Sequence, residues 1–276
     1  MDFASKYSSR VDERFTKGSF IDKITNKDYD FDGVSTLYVY SVDTPAINDY
    51  ALTGTSRYGT AAELTTDVQT LTLTEDKSTT YTVDMKAIQD TGGAIAVQRS
   101  LKRFVDERMI PSIDTYGYAR MVTAAVANGK VGVHAITTEN AYSTFLGAQE
   151  SLDNDLVPEM GRTLSARPAF INKLKLDPSF TLASDVAMKR NINGDYGDVD
   201  GVPVMKVPTS RLGANVEFIL SHKSAALFIQ KLMEHKVHDK PQGVSGWLVE
   251  VRYRYGVFVL DQKKDGIYVH ANGAVS

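Results

Sequence analysis

The chain has 276 residues and no cysteine, with 42% hydrophobic and 24% charged residues. That is enough chain for one elaborate domain or two interleaved ones, with a core needing no disulfide or metal. The missing cysteines exclude disulfide frameworks, thiolate zinc sites and cysteine nucleophiles, and they fit a reducing compartment. Lys and Arg number 31 against 34 Asp and Glu, a formal charge of −3. A dedicated nucleic-acid binder needs a basic excess to neutralise phosphates, and this chain has none.

Residues 1–33 are polar, with scattered aromatics at Phe3, Tyr7, Phe15, Phe20, Tyr29 and Phe31. Two readings stand side by side: a poorly ordered terminus, or an extended arm whose aromatics bury themselves on another copy of the chain. The start, Met1-Asp2-Phe3-Ala4-Ser5-Lys6, lacks the basic and apolar regions of a signal peptide. No apolar run approaches the roughly 18 residues of a membrane span. Synthesis and folding in the cytoplasm are therefore expected.

Val34–Tyr40 is rich in aromatic and β-branched residues and predicts a strand. A polar loop follows over 43–67. Val68–Thr74 and Thr80–Val83 alternate, and the Glu75–Ser78 turn between them predicts a hairpin. Residues 34–84 thus read as a β arm with a long polar tip.

Val97, Leu101, Phe104, Val105 and Met109 share one face at helical spacing. Arg103/Glu107 and Lys102/Asp106 are i,i+4 pairs beside it. Pro111 either kinks the helix or makes it stop and restart. The pattern then resumes to an Asn128-Gly129 stop signal. A continuous helix over 97–127 would span roughly 45 Å. A second helix is expected from about Thr138 to Asp153, capped by Thr137 or Thr138. Phe180–Met188 and Pro203–Val207 are short apolar segments, separated by turns at Asn193-Gly194 and Asp200-Gly201. Val216–Leu220 predicts a strand and Ser224–His235 a helix. Trp247–Val251, Val257–Leu260 and Ile267–His270 read as closing strands. The class is α+β.

Candidate chemistry is sparse. No phosphate-binding glycine loop, nucleophile elbow or His-Glu-x-x-His helix occurs. His235 and His238 could share a helix face, but no further ligands accompany them, so a solvated helix end is the better reading. Residues 191–201 are oxygen-rich, yet lack the spacing and closing Glu of a calcium loop. Gly92-Gly93 reads as a hinge. Arg99, Lys102, Arg103 and Arg108 interleave with Asp106 and Glu107, which favours a solvated salt-bridged face over a nucleic-acid surface. No catalytic, cofactor-binding or metal-ligating residue is assigned.

The order of parts carries a resemblance. Leu71–Lys77 followed by Tyr81–Asp84, then Val105–Tyr116 with its Ile-Pro-x-Ile-Asp-x-Tyr wording, come first. Asp200–Val204 with Lys206–Ser210, then Phe258–Leu260 and Gly266–His270, complete the series. Together they resemble the major capsid proteins of tailed bacteriophages, whose Hong Kong phage-type capsid fold is shared by encapsulins. The resemblance implies an N-terminal arm (1–33) and an extended loop with a β hairpin (34–84). It also implies a peripheral domain with a spine helix (85–156 and 251–276) and a mixed α/β axial domain (157–250). Leu101, Phe104, Val105, Met109 and Pro111 would belong to the spine helix.

The function implied is a non-enzymatic subunit of an icosahedral shell around double-stranded DNA, with an encapsulin-like cargo compartment as the alternative. Phe3, Tyr7, Phe15, Phe20, Tyr50, Arg57, Tyr58 and Glu63 are the candidate contacts between subunits. The implied partners are other copies, in hexamers and pentamers, with portal and head-completion proteins. DNA would be enclosed without sequence-specific binding, and no cofactor or membrane is involved. Location in the virion capsid, after assembly in the bacterial host cytoplasm, is expected. The early first strand leaves no room for a fused scaffolding segment, so a separate scaffolding protein is expected. No Lys lies between Lys27 and Lys77, so loop amines are not available for covalent cross-links.

Overall fold

The computed structural model describes residues 18–27, 29, 36–61, 63–90, 97–180, 196–239, 241–243 and 245–275. The readings for Phe3, Tyr7, Phe15, Gly92-Gly93, Asn193-Gly194 and 181–188 lie outside these residues.

The chain divides into two units, residues 31–73 and the remainder. The smaller unit holds β1 (Thr36–Asp43) and β2 (Thr65–Thr72), an antiparallel ribbon pairing Thr36 with Thr72 through to Asp43 with Thr65. The expected hairpin around Glu75–Ser78 does not form. Those residues belong to β3 (Glu75–Asp84), which pairs instead with β10 (Gly246–Val259). Alternation marked the strands correctly, but a strand's partner is fixed by non-local packing.

In the larger unit, α2 (Met85–Asp90) and α3 (Val97–Phe104) precede a π-turn over Val105–Met109 and α4 (Ile110–Ala127). The expected interruption at Pro111 takes this form. Proline lacks an N–H and crowds the carbonyl four residues back. The wider turn, in which the Ile110 N–H reaches Val105 O, relieves that conflict without ending the helix. The helix stops at Asn128-Gly129 as its sequence predicts, with Gly129 at φ 68° and its N–H on Val126 O. Arg103 pairs with Glu107 at 3.0 Å.

Three elements follow: β4 (Val131–Val133), α5 (Ala141–Asn154) and β5 (Arg162–Ala166). The cap of α5 is Asn140 rather than Thr137 or Thr138. The Asn140 Oδ1 accepts from the Thr137 N–H, which turns the chain before the helix starts. Next come α6 (Pro168–Leu176), β6 (Tyr196–Val199), β7 (Val202–Lys206), α7 (Thr209–Leu212) and β8 (Val216–His222). Asp200 (φ 49°) and Gly201 (φ 76°) make the left-handed two-residue turn between β6 and β7.

The expected helix at Ser224–His235 is instead strand β9 (Ala226–Asp239), and the two strands expected within 247–260 are one, β10. Leu, Met, Gln, Lys and Glu in this stretch favour a helix locally. Antiparallel pairing with the whole length of β10 overrides that preference, with an irregularity at Arg254/Tyr255. His235 and His238 therefore sit on a strand, three residues apart and on opposite faces, so they cannot share a ligand. The chain closes with β11 (Ile267–Ala271).

Besides the β1-β2 ribbon, the described residues form two sheets, with orders β3-β10-β9 and β4-β11-β8-β5-β7-β6. Central strand β8 buries both faces. Its Val216 and Ile219 pack towards Tyr118, Met121, Val122 and Ala125 of α4. Phe218 and Leu220 pack towards Phe145 and Leu152 of α5 and Phe170 of α6. The three-stranded sheet offers Val249, Val251, Tyr253 and Tyr255 to Met109, Ile113, Leu101, Phe104 and Val105 of the long helix.

Candidate interaction surface

Within the ribbon, side chains alternate between faces. One face carries Tyr38, Tyr40, Val42 and Val68, exposed by 57%, 70%, 57% and 45%. A lone two-stranded ribbon is marginal in water, and a contiguous exposed apolar stripe marks a docking surface.

The tip is ordered by its own bonds. The Ala51 N–H donates to Arg57 O, the Arg57 Nε–H to Gly54 O, and the Ser56 hydroxyl to Gly59 O. Gly59, at φ 81°, lies where a Cβ would come within 2.7 Å of Asn48. Tyr50 and Tyr58 meet edge to face at 5.1 Å. This folded knob presents Ile47, Leu52 and Tyr58 almost wholly to solvent. Three expected contact residues, Tyr50, Arg57 and Tyr58, are thus brought together, and Glu63 is exposed on the returning limb. Charge is uneven as well. Residues 31–73 hold Asp32, Asp43, Asp49, Glu63 and Asp67 against Arg57 alone, net −4, leaving +1 for the rest of the chain.

Phe20 has a different place from the other candidates. It is buried in the core of its own chain with Ile21 and Ile24 of α1 (Ile21–Ile24). Sequence reasoning missed what holds this segment. The carboxylate of Asp114, on α4 and fully buried, accepts from the Ser19 hydroxyl at 2.8 Å and from the N–H groups of Phe20 and Ile21. Arg211 of α7 donates to the same carboxylate and to Gly18 O, and its guanidinium lies 5.3 Å from the Phe20 ring centroid. An acidic residue amid Ile113, Gly117 and Tyr118 was the available signal.

A groove of about 450 Å³ opens beside the start of α4, with Pro111, Tyr116, Ala119 and Tyr255 among its lining. Tyr116 and Tyr255 meet edge to face at 5.5 Å, and the Lys77–Glu75 pair stands at its rim. Burial pushes the Tyr255 and Tyr253 phenols up, opposed by the Ser112 side chain they both bond. Among the described residues, no three His, Asp or Glu side chains are grouped to hold a metal ion. None of the described helices is long and apolar enough to cross a membrane.

No protein-family model and no curated protein matches the chain. Solved structures do. A structure from Mycobacterium phage Che8 is 16% identical, with a TM-score of 0.75 over 98% of this chain and 97% of that one. The capsid of cyanophage P-SCSP1u is 13% identical, with a TM-score of 0.70 over 98% and 92%. The mature capsid of bacteriophage PhiM1 is 12% identical, with a TM-score of 0.68 over 98% and 92%. At such identities the likeness is one of fold.

Proposed function

We propose that this chain, which has the Hong Kong phage-type capsid fold, is the major capsid protein of a tailed bacteriophage. The observation that carries the proposal is coverage: capsid chains from cyanophage P-SCSP1u and phage PhiM1 are matched over 92% of their length by 98% of this one. A match that complete takes in the ribbon, an element with little core of its own.

The role is structural rather than enzymatic. Copies associate through several modest contacts, and closure of the shell multiplies them into a stable container. The ribbon with its exposed apolar stripe reaches over a neighbouring copy. In this reading the long helix and three-stranded sheet form the peripheral part, and the six-stranded sheet with α5 and α6 the axial part. That departs from the bounds expected from sequence (85–156 and 251–276, 157–250) by moving α5, β4 and β11 to the axial part and β9 to the peripheral. A separate scaffolding protein directs assembly in the host cytoplasm, portal and head-completion proteins finish the virion capsid, and the shell encloses double-stranded DNA. A slightly acidic subunit confines that DNA without adhering to it.

Negative-stain microscopy of the chain co-expressed with its neighbouring genes tests the proposal. Closed particles of uniform diameter are expected, and a chain that stays monomeric overturns it. Neighbouring genes for a portal and terminase, rather than a cargo enzyme, separate a genome shell from a compartment.

A further inference from the structure

We infer that α5 of one copy meets the end of α6 of the next, with Glu150 paired to Lys175 across the contact; this rests on the shell reading above.

Charge is segregated along this part of the chain. Residues 131–161 hold Glu139, Glu150, Asp153, Asp155 and Glu159 and no Lys or Arg. Residues 162–176 hold Arg162, Arg167, Lys173 and Lys175 and no Asp or Glu. Several of these charges are used within the chain. Arg162 holds Asp153 with the Val157 and Pro158 carbonyls, and Asp155 pairs with Lys130. Arg167 holds Glu217 with the Gly213 and Ala214 carbonyls, and Lys173 donates to Ile136 O. The side chains of Glu150 and Lys175 are different. Both are exposed, and neither has a hydrogen bond or ion pair among the described residues. Glu139 and Glu159, on either side of α5, are free in the same way, so the surface around α5 is acidic.

Each free charge stands beside an exposed leucine. Leu146 lies one turn before Glu150 and Leu176 follows Lys175, exposed by 41% and 68%. Gly147 shares the outer face of α5 with Leu146 and Glu150. A Cβ at Gly147 would meet nothing within 4 Å. Glycine weakens a helix relative to alanine, and no contact within the chain requires it here. The notch it leaves takes the Leu176 side chain when Lys175 reaches Glu150.

Opposite signs also fix the orientation. Packing α5 on α5 would set acid against acid, whereas α5 against α6 matches charge with charge. The two surfaces belong to different parts of the same chain. The contact is therefore head-to-tail, and each copy uses one surface towards each neighbour, as a ring requires.

Charge reversal tests the pairing. Glu150→Lys and Lys175→Glu are each expected to lower particle yield at least tenfold. The double variant, which restores opposite signs, is expected to recover at least half of the particles. Carbodiimide joins a carboxylate to an amine in direct contact, so unsubstituted particles provide a second measurement. A Glu150–Lys175 linked peptide is expected in the multimer bands of a denaturing gel. An undiminished yield from either single variant, no recovery in the double, or absence of that peptide from the multimer bands overturns the contact and leaves the shell reading standing. No particles and no oligomers from the unsubstituted chain overturn both.

Discussion

Arg211 donates to the Asp114 carboxylate at 2.8 Å, joining two residues 97 positions apart where both are buried. With the Ser19 hydroxyl and the N–H groups of Phe20 and Ile21 on the same carboxylate, one acid ties three parts of the chain. Removing one member of a buried pair leaves the other charge uncompensated, at about 3–5 kcal/mol. Asp114→Ala is therefore expected to lower unfolding stability by that amount in urea titrations of the monomer. A loss below about 1 kcal/mol would show that the ion pair is dispensable.

Gly117 lets the N-terminal segment approach the long helix. A Cβ there would lie 2.7 Å from Ile21 Cγ1. Alanine normally favours a helix by about 1 kcal/mol over glycine, but overpacking costs about 1–3 kcal/mol. Gly117→Ala is expected to destabilise, and the double variant with Ile21→Val to recover part of the loss. Stabilisation by Gly117→Ala would contradict the close packing.

His270 supplies a pH dependence. It is fully buried, its ring stacks on Phe218 at 5.3 Å, and its Nε2 donates to His134 O while Nδ1 has no partner. Burial holds its pKa below the ordinary histidine value of 6.5. The unfolded chain then takes up this proton more readily than the folded one. The contribution is therefore present above pH 6.5 and is lost as pH falls towards the depressed folded pKa. The denaturation midpoint is expected to drop between pH 7.5 and 5.5, and by less in His270→Phe. Equal drops would assign the effect elsewhere.

The ribbon offers no amine for a covalent bond, since no Lys occurs between Lys27 and Lys77. Particles boiled in detergent are expected to run entirely as monomer. High-mass bands that survive boiling would show chemistry at other residues.

What the sequence revealed followed the range of the forces involved. The long helix, its stop at Asn128-Gly129, the β6–β7 turn and strand β8 are set by local pattern and turn chemistry, and all were legible. The partner of β3 and the strand character of Ala226–Asp239 are set by β10, far away in sequence, and so local propensity pointed the wrong way. In the candidate surface, Tyr50, Arg57 and Tyr58 were legible as aromatic and charged residues in a long loop. Asp114 was not, because its partners come from residues 19–21 and 211.

The same clamp imposes an order on biosynthesis. Arg211 bonds Gly18 O across 193 positions. At roughly 5–20 residues per second, the ribosome needs roughly 10–40 s after making residue 18 before its anchor emerges. Until then Phe20, Ile21 and Ile24 have only the α4 part of their core, around Tyr118 and Met121, to pack on, and the Asp114 carboxylate lacks its guanidinium. The nascent chain thus passes through a window in which a holding chaperone, or slower growth at lower temperature, decides how much protein survives to assemble.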